Sequence, residues 1–157
     1  VLPHDPEGPV FVALPFDHAI AAQMIDAIGK LKGSDRRFIV KSHPMTPSQF
    51  RESEIIEKTN LPLNQQTGVS GVIYAATTVG LEALLGGLPT LRFRPSGKVP
   101  TDVIPTTLNV ASADSTELES AFRSLTSPPS IKPDRFFAKP DYPLWEATLH
   151  SGTTATS

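Results

Sequence analysis

Strands and helices take turns along this chain, and that alternation restricts its fold more than any other feature. Val10-Phe11-Val12-Ala13-Leu14, Phe38-Ile39-Val40, Val72-Ile73-Tyr74-Ala75-Ala76 and Pro89-Thr90-Leu91-Arg92-Phe93 are short apolar runs of the kind that form buried strands. After the first run, Ile20, Met24, Ile25, Ile28 and Leu31 recur at helical spacing behind Asp17. After the third, Thr77-Thr78 opens a helix from Val79 to Leu85 that stops at Gly86-Gly87, the position of a glycine C-cap. Strand–helix–strand units join as parallel pairs through right-handed crossovers. The pattern predicts an α/β, doubly wound parallel sheet with helices on both faces.

The remaining elements are read with less to go on. A helix is predicted from about Pro47 to Ile56, with Pro47 suited to its first turn. Thr59 to Ser70 is polar, with Leu61-Pro62-Leu63 its one apolar island, and receives no element. Leu108-Asn109-Val110 reads as a short strand. Asp114 and Glu117 form a capping-box pair ahead of Leu118, Ala121, Phe122 and Leu125, which share one helical face. The chain has 16 prolines, about twice the usual share of roughly 5%, yet they fall between the periodic segments, as punctuation does in a folded domain.

Length and composition bound the rest. A chain of 157 residues accommodates one domain. Residues 1–9 read as linker, 10–126 as the Rossmann-like domain, 127–149 as a proline-rich, aromatic segment packing on it, and 150–157 as a disordered tail. The start at Val1 and the linker-like His4-Asp5-Pro6-Glu7-Gly8-Pro9 read as a domain excised from a longer chain. A net charge of -2 lacks the basic field that nucleic acid requires. The absence of cysteine removes disulfides, thiolate zinc sites and a cysteine nucleophile. No apolar run approaches the roughly 18–20 residues of a transmembrane segment, and no signal peptide is visible, so the expected location is cytoplasmic.

In an open parallel sheet, ligands bind beyond the carboxyl ends of the strands, so candidate residues are sought there. At Thr77-Thr78 two hydroxyls and the free N–H groups of a helix start point the same way, a geometry suited to phosphate, although one threonine serving only as N-cap explains the pair more plainly. Glu82 lies four residues after Thr78, one too far for a capping box, and could accept hydrogen bonds from ribose hydroxyls. His43 ends the second strand with Pro44 fixing the chain behind it, and Lys41 lies two residues earlier on the same side; both could face a diphosphate or phosphodiester. There an imidazole donor would stabilise developing charge on a leaving phosphate. A lone histidine is more often a structural hydrogen-bonder. Arg92 and Arg94 could reach a carboxylate or phosphate, with surface pairing expected of at least one. His18 is a weaker candidate. No histidine or carboxylate spacing resembles a metal site. G-x-G-x-x-G, G-x-x-x-x-G-K-[ST] and G-x-S-x-G are all missing, which argues against a dinucleotide oxidoreductase, a P-loop ATPase and an esterase-type hydrolase.

Taken together, Lys41-Ser42-His43-Pro44 and Thr77-Thr78-Val79-Gly80-Leu81-Glu82-Ala83-Leu84-Leu85-Gly86-Gly87-Leu88-Pro89 resemble the C-terminal, Rossmann-like domain of GT-B glycosyltransferases. The likeness spans about Val10 to Leu125. It leans toward bacterial capsule and surface-polysaccharide enzymes: capsular Kdo-transferase-like proteins, sialyltransferases with an HP motif and CDP-glycerol transferases. The resemblance implies that His43 is the catalytic histidine contacting the donor phosphate, that Thr77 and Thr78 bind phosphate, and that Glu82 lies near the ribose; Lys41 and Arg92 join them as nucleotide-binding candidates from their places at strand ends. It implies a nucleotide-activated sugar (CMP-, CDP- or UDP-linked) as substrate, no cofactor and no metal. The partner it implies is an N-terminal acceptor-binding domain of the same full-length chain, without which the domain is expected to bind nucleotide weakly and not to transfer sugar. Leu14-Pro15-Phe16-Asp17 departs from the pattern by lacking a glycine, and the segment before Val72 is short. Two other readings stand beside it: a GT-B-fold sugar-nucleotide epimerase or hydrolase, and a non-catalytic Rossmann-like module that binds a partner protein.

Overall fold

The computed structural model describes residues 2–31, 35–99, 101–105, 108–126, 131 and 141–143. Among them are β1 (Val10–Ala13), α1 (His18–Gly29), β2 (Phe38–Lys41), β3 (Ile56–Lys58), β4 (Gly71–Tyr74), α2 (Val79–Leu85), β5 (Thr90–Phe93), β6 (Ala111–Ala113) and α3 (Leu118–Arg123), with one 3-10 turn at Leu63–Gln65. The strands form one six-stranded parallel sheet in the order β3-β2-β1-β4-β5-β6. The chain starts in the middle of the sheet and builds outward through β2 to β3. It then returns to the other side of β1 and builds outward again through β4, β5 and β6. This is the doubly wound, Rossmann-like α/β arrangement expected from the sequence.

Alternation along the strands sorts the core into two layers. Val10, Val12, Phe38, Val40, Ile73, Leu91 and Phe93 face one side, where Ile20, Met24 and Ile28 of α1 and Leu118 of α3 cover them. Phe11, Ala13, Val72 and Tyr74 face the other, against Ala83 and Leu84 of α2 and Leu88 beyond it. Met24 and Ile28 are fully buried, and each such side chain contributes roughly 1.5–3 kcal/mol over its exposed state. Because α1 and α2 lie on opposite faces, the crossovers on the two sides of β1 diverge from each other.

Local chemistry sets the helix ends. The Asp17 carboxylate accepts hydrogen bonds from the N–H groups of Ala19 (2.8 Å) and Ile20 (3.2 Å) and starts α1. At the end of α2, Gly87 takes φ +81° while Leu88 N–H bonds the Ala83 carbonyl and Gly87 N–H bonds that of Leu84, a Schellman closure. The capping box before α3 is present as a reciprocal pair: Asp114 Oδ1 accepts from Glu117 N–H (3.2 Å), and Glu117 Oε2 accepts from Asp114 N–H (3.4 Å).

Two expected elements are different. No helix spans 47–56. Thr46 N–H turns back onto the His43 carbonyl between Pro44 and Pro47, and Ser53 and Ile56 exchange backbone bonds in a tight turn leading into β3. Local turns thus replace a helix, because they consume backbone donors that a helix would need and the prolines supply none. In β3 itself only Ile56 is buried while Glu57 and Lys58 are exposed, so this edge strand has no apolar run to betray it. The short strand expected at 108–110 occurs one step later: Ala111, Ser112 and Ala113 pair with Leu91, Arg92 and Phe93. Leu108 and Val110 pack into the α2-face core, and their hydrophobicity reports that packing instead of strand pairing.

Residues 2–9, expected to be linker, run along the body. Leu2 N–H bonds the Gly86 carbonyl, Asp5 N–H bonds that of Val69, and Arg36 Nη1 donates to the Pro6 carbonyl (3.2 Å). Apart from Ile131 and 141–143, the segment 127–149 and the tail 150–157 lie outside the described residues. Among the described residues, no helix is long and apolar enough to cross a membrane.

Candidate functional site

The strand order reverses between β1 and β4, and open α/β sheets hold ligands in the crevice at the carboxyl ends of the strands beside such a switch point. Ala13 and Tyr74 are register partners at the ends of these strands. Asp17, the N-cap of α1, lies four positions beyond Ala13, and Thr78, the N-cap of α2, lies four beyond Tyr74. The two helices therefore leave the sheet at matching heights from adjacent strands and turn to opposite faces.

The start of α2 is strained, and the Thr78 and Glu82 side chains there are unengaged among the described residues. Ala76, between β4 and α2, takes φ +48°, a left-handed conformation costing a non-glycine residue roughly 1–2 kcal/mol. Thr77 Oγ1 accepts from Val79 N–H at 3.1 Å, while Thr78 is exposed and makes no side-chain cap bond. Glu82, one turn further and on the Thr78 face of the helix, is half-buried, and its carboxylate has no partner among the described residues. Left-handed backbone, hydroxyls and an unpaired carboxylate are grouped at one corner.

The start of α1 is the reverse. Its first N–H groups are occupied by the Asp17 carboxylate, whose other oxygen takes a hydrogen bond from Lys98 Nζ at 2.5 Å. That lysine and then the Ile20 N–H hold the Asp17 carboxyl below the ordinary carboxylate range. This helix start carries its own anion, whereas at α2 the acceptors are neutral: Thr77 Oγ1 for Val79 N–H and the Thr77 carbonyl for Gly80 N–H (3.4 Å).

His43 follows β2 on the other side of β1. Its Nδ1 accepts from Met45 N–H (3.3 Å), so the neutral ring carries its proton on Nε2, where it can donate. The imidazole packs edge-on against Phe16, with ring centroids 5.6 Å apart, and Thr46 Oγ1 donates to the Phe16 carbonyl (3.0 Å). The loops after β1 and β2 are thereby stitched together. His43 and Thr77-Thr78 lie at the same end of the sheet with β1 between their strands, about 10 Å apart at two strand spacings.

The other candidates are engaged elsewhere. Lys41 Nζ donates to the Asn60 carbonyl (2.7 Å), toward the β3 side. Arg92 forms an ion pair with Asp102 (2.8 Å), which also accepts from Tyr74 OH (3.2 Å) and, through its other oxygen, from Ile104 N–H (3.0 Å). Arg92 thus backs α2 from beneath. Burial first, then the negative charge of Asp102, pushes the Tyr74 hydroxyl well above its ordinary pKa, against a smaller opposing pull from Arg92. Arg94 pairs with Glu117 beside α3, and His18 is exposed at the first position of α1.

Sequence reading missed Lys98 and Asp102. Both lie in a proline-punctuated connection with no periodicity, and only the folded chain brings them to Asp17 and Arg92. Among the described residues, no group of three or more His, Cys, Asp or Glu side chains could hold a metal ion. A cavity of about 340 Å³ opens at the opposite, amino end of the sheet, between the end of α1 and α3. Of its arginines, Arg36 already bonds the Pro6 carbonyl and covers the Phe122 ring, and Arg123 pairs with Glu119. No protein-family model matches the chain, and no curated protein matches it.

Proposed function

We propose that this chain is the cytoplasmic donor-binding domain of a GT-B glycosyltransferase of bacterial surface-polysaccharide biosynthesis, acting on a CMP-, CDP- or UDP-linked sugar. One observation carries the reading. The strand order reverses beside β1, and His43 after β2 and the Thr77, Thr78 and Glu82 corner after β4 both follow the carboxyl ends of the strands that neighbour β1. In this reading the Thr77 and Thr78 hydroxyls at the start of α2 donate to phosphate, and the Glu82 carboxylate accepts from ribose hydroxyls. The Nε2–H of His43 donates to the leaving phosphate as the glycosidic bond breaks, stabilising the charge that develops there. Acceptor and general base come from an N-terminal domain, so the domain alone binds donor without transferring sugar.

The test is a titration of isotope-labelled protein with CMP, CDP and UDP. Amide shifts are expected at His43, Thr77, Thr78 and Glu82 with at least one of them, and silence at all four positions with all three nucleotides overturns the assignment. In the full-length protein, a Thr77→Ala, Glu82→Ala double variant that folds yet transfers sugar at the wild-type rate would point instead to a protein-binding role for this face.

A further inference from the structure

A sugar nucleotide brings at least one full negative charge to the crevice, and hydroxyls alone do not neutralise it. Among the described cations near the carboxyl edge, most are committed: Lys41 to the Asn60 carbonyl, Arg92 to Asp102, and Arg94 to Glu117. Lys98 differs, because its partner is Asp17, the residue that forms the α1 wall of the crevice itself.

The connection that carries Lys98 has an unusual path. It leaves β5 at Arg94 and reaches across to α1, where the Gln23 amide clamps both sides of one residue: Oε1 accepts from Ser96 N–H (2.7 Å) and Nε2 donates to the Ser96 carbonyl (3.1 Å). Gly97 then turns with φ +70°, and Lys98 meets Asp17. Four residues later Asp102 is on the opposite face of the sheet, bonded to Tyr74 and Arg92. β4 and β5 are interior strands, and the described residues on either side of position 100 are anchored to opposite faces of the sheet. The connection is a strap pinned on both faces, with Ser96 and Lys98 held on the α1 side and Asp102 on the α2 side.

We propose that Lys98 is the phosphate-binding cation of the donor site, exchanging Asp17 for a phosphate oxygen of the nucleotide. The proposal rests on the donor-site reading above. The exchange is physically easy. Lys98 and Asp17 are both about two-fifths exposed, and ion pairs of that kind contribute little net stability. A lysine on a four-carbon stem swings between neighbouring oxygens without moving the strap, whose hold on α1 comes from Gln23 and not from the lysine. Asp17 becomes a tuning residue, competing with the ligand for the same ammonium group.

Calorimetric titration of UDP into the chain tests this with three proteins: wild type, Lys98→Ala and Asp17→Asn. Asparagine is as good an N-cap as aspartate, so the second variant keeps α1 intact while releasing the lysine. The expected result is a tenfold or greater loss of affinity for Lys98→Ala, a severalfold gain for Asp17→Asn, and a shallower salt dependence for Lys98→Ala. UDP binding to wild type with both variants within twofold of it would overturn the role of Lys98 and leave the donor site standing. Failure of wild type to bind UDP, CDP or CMP would overturn the donor site and this proposal with it.

Discussion

The two helix starts that flank β1 occupy equivalent places in the fold and are built oppositely. At α1 the polar groups satisfy one another at the surface: Asp17 caps the helix, Lys98 neutralises Asp17, and Gln23 holds the strap. At α2 the Thr77 hydroxyl accepts from Val79 N–H, and the larger contacts lie underneath, in the Tyr74, Asp102 and Arg92 network and in the close approach of Gly80 to the Tyr74 ring, while the side chains of Thr78 and Glu82 above bond nothing described. The contrast shows how anchoring from below relieves side chains of a structural role. A helix start held this way does not need the Thr78 hydroxyl or the Glu82 carboxylate to keep it in place.

The anchoring half of this contrast can be broken directly. Arg92→Met is expected to have the largest effect. It leaves the Asp102 carboxylate, only 12% exposed, without its cation. Breaking a fully buried pair costs about 3–5 kcal/mol, and partial exposure brings this to about 2–3 kcal/mol. Denaturant unfolding measures it, and a loss below about 1 kcal/mol would mean the network is not what holds α2. Gly80→Ala follows. A Cβ at that position would stand 2.5 Å from a carbon of the fully buried Tyr74 ring. Overpacking of this kind costs about 1–3 kcal/mol, against a helix-propensity gain of at most about 1 kcal/mol. A net loss of about 1–2 kcal/mol is expected, and an unchanged or raised Tm would show that the ring yields.

Much of this architecture was legible because buried strands and amphipathic helices announce themselves through side-chain pattern. Val10–Ala13, Phe38–Lys41, Gly71–Tyr74 and Thr90–Phe93 are fully or half covered by helices and read as apolar runs. The edge strands did not, since β3 buries one residue of three and β6 consists of small residues of which only Ala113 is buried. For the site, the positions that follow from strand ends could be read: His43, Thr77 and Thr78. The partners of Lys41 and Arg92 could not, because Asn60 and Asp102 reach them through irregular connections whose course depends on tertiary contacts. Asp17 was visible as a helix start, and only the strap showed that this start is neutralised by Lys98.

Tyr74→Phe sharpens the same comparison through pH. Removing one hydrogen bond to Asp102 is expected to cost about 1 kcal/mol at neutral pH. The Tyr74 hydroxyl titrates above its unfolded value of 10.0 in the folded chain, so its contribution is complete below pH 10 and falls away as pH rises beyond that. Wild type should therefore lose its advantage over Tyr74→Phe on the alkaline side, and a gap between the two that stays constant through pH 11 would place the hydroxyl in a more open environment than the geometry indicates.

The smallest stability effect is the most informative. Glu82 is half-buried on the first turn of α2 and pairs with nothing described, so all it can offer the fold is a favourable interaction with the helix start, a few tenths of a kcal/mol for so short a helix. Glu82→Gln is expected to unfold within about 0.5 kcal/mol of wild type and to weaken UDP binding tenfold or more by calorimetry. A loss of stability above about 1.5 kcal/mol would make Glu82 a structural residue like Asp17, and the starts of α1 and α2 would then differ in detail but not in kind. Unchanged stability together with weakened UDP binding would assign the Glu82 carboxylate to the ligand and not to the fold.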